Sequence, residues 1–331
     1  MTLPAARTPV PLALLLLGVT GLLCAAGVAV GSLGWEPLWR GGGEASAAIL
    51  WDIRLPRTLG AWLAGALLGL AGAVAQGLFR NPLADPYLLG SATGAALGVA
   101  VLLVLAGAAP AAASGWMEGL GLTGAAFAGA VVAVLVTLGL AKGVQHTLRL
   151  LLAGVVVGMV FGALAALVMF WVPDVMRAMQ AFLLGSTGFL SWASVGLLAV
   201  LFMVCLLMAV AFSRSLDALS LGETTAASLG IALAPVRMVL IGVMALATGT
   251  AVAQVGLIAF IGLVAPHLVR AAIKPTHRWL LPLSALTGGV LLLAADVLAR
   301  WLLAPQELPV GVLTAVLGGG YLLWLMHRRP L

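Results

Sequence analysis

The stretch MVLIGVMALATGTAVAQVGLIAFIGLVAPHLV, residues 238–269, decides the fold. It contains no Asp, Glu, Lys or Arg. About 20 apolar residues cross the hydrocarbon core of a bilayer, so the stretch is too long for one untilted helix. Gly256 lies near its middle and Pro266 follows soon after, and both residue types interrupt helices. The stretch therefore divides into one span ending near Gln254 and a shorter one from Leu257 to about Arg270. Eight more charge-free stretches flank it. The expectation is ten spans, at roughly residues 10–33, 56–79, 87–108, 119–141, 149–172, 190–213, 236–255, 257–271, 279–300 and 308–327, within a single transmembrane domain covering residues 1–331.

Composition agrees with lipid as the main solvent. Hydrophobic residues make up 63% of the chain, charged residues only 8%, and the mean hydropathy is +1.21. A soluble domain carries about 25% charged residues. In lipid every backbone group must be satisfied internally, which leaves helices or closed barrels. The apolar runs are continuous rather than alternating, so the fold class is all-α integral membrane. Arg7 followed by an apolar run up to Cys24 faintly resembles a secretion signal, but Leu23 stands where a small residue is needed. An uncleaved first helix is expected. Cys24 and Cys205 both lie in apolar stretches and read as buried thiols.

Charge sets the expected orientation. With ten spans and the N-terminus inside, the inner connections hold Arg7, Arg80, Lys142, Arg149, Arg214, Arg237, Arg270, Lys274, Arg278, Arg328 and Arg329. The outer ones hold Arg40, Arg54, Arg57, Arg177 and Arg300. This asymmetry obeys the positive-inside rule and places both termini in the cytoplasm. Ala73-Val74-Ala75-Gln76 recurs as Ala251-Val252-Ala253-Gln254, each at the end of a span opened by proline and arginine. The two copies run in opposite directions, the mark of an inverted repeat.

Several function classes are disfavoured. The chain has no His-Glu-x-x-His, no Gly-x-Ser-x-Gly and no Gly-x-x-x-x-Gly-Lys-[Ser/Thr] phosphate loop. Any ATP and magnesium must be bound by another subunit, and no metal site or cofactor is expected in the chain. The basic residues form no stripe with interleaved aromatics, so nucleic acid is not an expected partner. Ionisable groups at mid-membrane, which an ion-coupled carrier needs, are scarce. Asp296 is the nearest case and reads as a local pair with Arg300, one turn away. An ion-coupled secondary transporter with inverted repeats remains the alternative.

Two regions stand out. Gly154, Gly158 and Gly162 put a smooth face on the fifth span, suited either to close packing or to a gating helix at a subunit interface. Met159, Met169, Met176 and Met179 add soft apolar surface there. The inner connection 214–234 has mixed polarity. Leu216, Leu219, Ala226 and Leu229 have helical spacing and Gly222 interrupts the middle, so two short surface helices are expected. They read either as a solvated connection or as a platform whose apolar face enters a partner's groove.

The chain resembles the iron-complex, haem and cobalamin permeases of bacterial ABC importers, the type II group. Four stretches carry the resemblance: Arg54-Leu55-Pro56-Arg57 leading to Gly72-Ala73 and Gln76; Arg80-Asn81-Pro82-Leu83-Ala84-Asp85-Pro86 followed by Leu89-Gly90 and Gly94-Ala95; Gly262 to Arg270; and Glu307-Leu308-Pro309-Val310-Gly311-Val312. Leu219, Leu221, Gly222 and Glu223 with Ala227, Leu229 and Gly230 also fit. Ser91-Ala92-Thr93 departs slightly from the small polar trio of many members. The resemblance implies a homodimeric permease in the bacterial inner membrane, working with two copies of a cytoplasmic ABC ATPase and with a periplasmic substrate-binding protein. It implies that Leu216, Leu219, Leu221, Gly222, Glu223, Ala227, Leu229 and Gly230 couple to the ATPase. It assigns Arg54, Arg57 and Arg300 to docking the binding protein. It assigns Gly154, Gly158, Gly162, Met159, Met176, Met179, Leu184, Gly185, Ser186 and Thr187 to the translocation path and gate. Haem is the first expected cargo, then ferric siderophore, then cobalamin.

Overall fold

The computed structural model describes residues 8–31, 34–35, 44–106, 115–144 and 147–328. Arg7, Arg40 and Arg329, counted in the charge asymmetry, lie outside these residues, as do 32–33 and 107–108 at the ends of two expected spans. The chain is helical almost throughout. α1 (Pro9–Ala29) leads into a small antiparallel pairing of β1 (Val30–Gly31) with β2 (Gly34–Trp35). α2 (Glu44–Ala48) continues through a π-helical stretch (Ile49–Arg54) into α3 (Leu55–Phe79). Then come α4 (Ser91–Leu105), α5 (Gly115–Leu140), α6 (Thr147–Trp171), α7 (Pro173–Leu184) and α8 (Trp192–Ala211). The short α9 (Ser213–Ser220) and α10 (Glu223–Ser228) precede α11 (Leu233–Val255), α12 (Ile261–Ile273), α13 (His277–Trp301) and α14 (Val310–Arg328). Among the described residues, eight helices are long and apolar enough to cross a membrane, and α4 and α12 are shorter apolar helices.

Helix α3 is the axis of the bundle, buried along nearly its whole length. At three positions along its seam with α13 and α12 it has no side-chain bulk. Gly65 and Gly69 lie against the backbone of Gly288 and Ser284 in α13, and Gly72 lies against the carbonyl of Gly262 in α12. Pro266 has no N–H, so the Gly262 carbonyl four residues earlier is freed from the helix ladder. That carbonyl faces Gly72. α4 and α5 meet in the same way through Gly94, Gly98 and Gly129. Without a hydrophobic drive between helices in lipid, such close backbone approach supplies the packing.

The chain breaks between α11 and α12, over residues 256–260. α12 accordingly begins at Ile261, later than the expected 257, because these residues are irregular rather than helical, with positive φ at Gly256 and Phe260. Such backbone survives at membrane depth only if protein satisfies it. Here the Leu257 N–H donates to the Phe182 carbonyl (3.0 Å), the Ser186 N–H to Val255 (2.9 Å), and the Tyr87 hydroxyl to Ile258 (3.1 Å). Gly256 and Gly185 adopt φ of 70° and 72°, which only glycine takes without strain, and each abuts the backbone of the other's segment. α4 likewise starts at Ser91 rather than 87, after a turn in which the Asn81 side chain caps Leu83 and the Asp85 side chain caps Tyr87. α7, the π-helical stretch and the strand pair were not anticipated. They are short, and α7 is amphipathic rather than uniformly apolar.

The α3 seam predicts an asymmetry between two glycines. Gly72→Ala places a methyl group into the Gly262 carbonyl and costs about 1–3 kcal/mol or more through overpacking. Gly242→Ala in α11 meets nothing within 4 Å and is neutral or slightly stabilising. Thermal melting of the purified variants in detergent checks both.

Candidate functional site

Polar side chains gather at the two ends of the bundle. At one end lie the C-terminus of α3, the start of α11 and the pair α9–α10. Glu223, first residue of α10, is the hub. Its Oε1 receives Arg237 of α11 (2.6 Å) and Arg80 at the end of α3 (3.4 Å), and accepts a hydrogen bond from Thr147 at the start of α6 (3.4 Å). Asp217 of α9 accepts the backbone N–H of His277 (3.0 Å) and contacts its Nδ1 (2.7 Å), pinning α9 to the start of α13. Gln76 of α3 donates to the Leu263 carbonyl (3.2 Å) and accepts from Arg270, which ties α3 to α12. Asp85, in the adjacent turn, has its carboxyl pushed up by burial.

The two short helices are present, and the residues expected on their coupling surface divide between the chain's own bundle and the outside. Leu216, Leu219 and Ala226 are buried against the chain's own bundle. Leu221 and Leu229, 67% and 63% exposed, face outward, as do Ala227 and Gly230; Gly222 and Glu223 are half-buried. Spacing alone cannot tell which side of an amphipathic helix meets its own protein.

The region assigned to the path also divides. Gly154 packs on the Leu88 carbonyl, and Gly158 and Gly162 face Thr93, so the smooth stripe of α6 serves packing on α4 within the chain. Met159 and Met176 are exposed, whereas Met179 is fully buried in a second core with α4 and α5 residues. Leu184 is exposed; Gly185 is buried at the α11–α12 break; the Ser186 hydroxyl accepts from the Gly188 N–H (3.2 Å). Thr187 is buried and donates to Asp296 Oδ1 (2.5 Å). An apolar cavity of about 210 Å³ lies beside Phe260 between α12, α13 and α14.

The opposite end is organised by Asp296 of α13, which is fully buried. The expected pair with Arg300 exists at 2.6 Å, but it is not merely local. Asp296 Oδ1 also receives Arg57 Nε (3.0 Å) from α3. Arg300 is 2% exposed and donates to the carbonyls of Gly27 (2.8 Å) and Val30 (2.7 Å) at the end of α1. An arginine buried in this way cannot reach a carboxylate on another protein, so its expected docking role does not hold in this structure. Arg54 is half-buried and donates to the Val28 carbonyl (3.2 Å). Arg57 also holds Glu307 with both terminal nitrogens (3.1 and 2.8 Å). The ties made by Asp217, Gln76 and Glu307 were not foreseen. Gln76 and Glu307 stood in the motif stretches that carry the resemblance, but nothing there named their partners, and Asp217 was marked only by its polarity beside an apolar span.

A bundle of apolar helices with broken spans, tied by charge at both ends and bearing a short helical pair at one of them, is the build of a membrane permease. The comparisons make the class specific. Residues 13–328 match the FecCD transport family. The hemin transport system permease protein HmuU of Yersinia pestis is 39% identical over 319 residues, covering 96% of this chain and 94% of the relative. The vitamin B12 import system permease protein BtuC of Salmonella typhimurium is 42% identical over 285 residues, covering 84% of this chain and 83% of the relative. A metal-chelate type ABC transporter solved in an inward-facing conformation superposes with a TM-score of 0.84 at 26% identity, covering 97% of this chain and all (100%) of that one. The chain is thus a multi-pass permease subunit of an ABC importer. It belongs to the FecCD transport family.

Breaking the buried node has a definite cost. Asp296→Asn leaves two arginines without their shared carboxylate and destabilises the permease by about 3–5 kcal/mol, read as a clear fall in melting temperature.

Proposed function

We propose that the chain imports a metal chelate, haem first, as one of two identical subunits around a central path. Ferric siderophore and cobalamin are the second and third candidates. One observation supports this cargo class above others: the similar proteins carry hemin, vitamin B12 and metal chelates in their names, and the likeness to the hemin permease extends over 96% of the chain. Two copies of a cytoplasmic ATPase bind ATP and magnesium, and a periplasmic binding protein delivers the cargo at the end bearing Arg57. The termini lie in the cytoplasm, with α9 and α10 facing the ATPase. The permease breaks no bond in its cargo.

The mechanism follows from the two polar ends. Closing of the ATPases on ATP pushes the exposed edge of α9–α10, at Leu221, Ala227 and Leu229. Glu223 passes the displacement to the ends of α3, α6 and α11 through Arg80, Thr147 and Arg237. Asp217 passes it to α13. These helices pack by backbone contact, so they shift as rigid bodies rather than deform. The cavity beside Phe260, at about 210 Å³, is smaller than the ~300–1,000 Å³ of sites that enclose a drug-sized ligand. In this reading the path runs between subunits, bordered by exposed Met159, Met176 and Leu184. Selection of cargo rests with the binding protein, so the path itself can be apolar and weakly binding.

The test is reconstitution in liposomes with the partner ATPase and binding protein, measuring ATP-dependent uptake of hemin, a ferric siderophore and cyanocobalamin. Uptake of hemin that needs all three components is expected. Uptake that needs no ATPase and collapses with an ionophore would sink the reading. In the same system Glu223→Gln lowers uptake per ATP hydrolysed by about tenfold, within a coupling free energy of about 1–3 kcal/mol, while Glu223→Asp recovers part of it.

A further inference from the structure

Arg57 is the arginine at its end of the bundle whose donors are held by two carboxylates of unlike character. Its Nε is fixed on Asp296, fully buried and also bonded to Arg300 and Thr187. Its Nη1 and Nη2, the pair that grips a carboxylate in two-point fashion, are both taken by Glu307. Glu307 is 36% exposed and sits between α13 and α14. Its backbone surroundings are held in place, since the next residue, Leu308, donates its N–H to the Ala299 carbonyl (3.0 Å). Its side chain is the more exposed member of the arrangement, at 36% against 12% for Arg57 and 0% for Asp296.

We propose that Glu307 is an internal competitor for Arg57, occupying the face that an acidic residue of the binding protein takes on docking. This rests on the docking reading of Arg57 given above. The end-on fork of Arg57 is filled by Glu307 and its Nε is turned to the buried node, so an arriving carboxylate gains two-point pairing only by exchanging with Glu307. Asp296 keeps Arg57 aimed throughout, and Arg300 and Thr187 continue to satisfy Asp296. Exchanging one partly exposed bidentate pair for another is close to balanced, since such pairs are individually weak. Docking is thereby kept reversible, as repeated delivery of cargo requires. Arg300, buried and bonded to α1 carbonyls, supports Arg57 from behind and takes no part in the exchange.

The experiment measures affinity of the binding protein that supports uptake for the permease–ATPase complex in nanodiscs. Glu307→Gln keeps the shape but removes the charge that holds Arg57, and tightens docking by about five- to tenfold. Asp174→Asn removes the same net charge from a pair with Arg177 that is exposed and apart from Arg57, and leaves affinity unchanged. Arg57→Gln weakens docking; Arg57→Lys, which retains the charge and one-point pairing, gives a smaller loss and serves if the first variant does not assemble. If Asp174→Asn tightens docking as much as Glu307→Gln, bulk charge explains the effect and the competition is overturned. If Glu307→Gln leaves docking unchanged or weaker while the Arg57 variants weaken it, the competition is overturned and the docking reading stands. If neither Arg57 variant alters affinity, the docking reading itself fails.

Discussion

A backbone N–H or carbonyl in a bilayer must find its partner within the protein, and the rest of this structure depends on how the break between α11 and α12 meets that demand. The five residues that leave the helix at 256–260 would be costly exposed to lipid. Leu257 is instead bonded to the end of α7 and Ile258 to the Tyr87 hydroxyl, while Val255 just before them accepts from Ser186 in the α7–α8 connection. Gly185, Gly256 and Gly311 bring three segments to backbone contact at this point. The break therefore draws α7, α4 and α14 to α11 and α12, and fixes where a non-helical segment reaches into the bundle.

The same constraint explains where small and charged residues sit. With no hydrophobic difference between lipid and a leucine side chain, helices gain by approaching closely, and α3 does so through Gly65, Gly69 and Gly72. Charges are excluded from the middle and collect at the ends, where they tie helices distant in sequence: Glu223 to Arg80 and Arg237, Asp296 to Arg57. A bundle that is stiff in its middle and linked ionically at both ends is suited to transmitting displacement. In the proposed coupling, force applied to α9–α10 would be passed on through the Glu223 ion pairs to closely packed helices. At the far end Asp296 is fully buried in the frame, while Glu307, which shares Arg57 with it, is partly exposed.

Much of this was legible in the residues. Hydrophobic runs placed the helices, and the excess length of 238–269 with Gly256 announced a break. The glycines of α6 announced close packing. The mixed polarity of 214–234 announced two short helices. What could not be read was direction. Leu216 and Leu219 have the spacing of an apolar face, but periodicity is the same whether that face meets a partner or its own bundle. Arg300 stood at a helix end like a surface anchor, and only its burial behind Arg57 and α1 removed it from the surface. Met179 looked like its neighbour Met176, yet one is in the core and the other exposed.

The sequence by itself determined that the protein lives in lipid, that it is helical, about how many times it crosses and which family it belongs to. The first three follow from the length and composition of local segments, because the bilayer imposes its thickness and its demand for hydrogen bonds on each segment separately. The family rests on motif residues such as Arg54 to Arg57, Asn81 to Pro86 and Glu307 to Val312. Only the tertiary structure decided which faces are inside, that Asp296 joins α3 to α13, that Glu223 gathers three helices, and that Arg57 is shared between a buried and an exposed carboxylate. Those features pair residues up to 250 positions apart, and no local pattern encodes a partner at that distance.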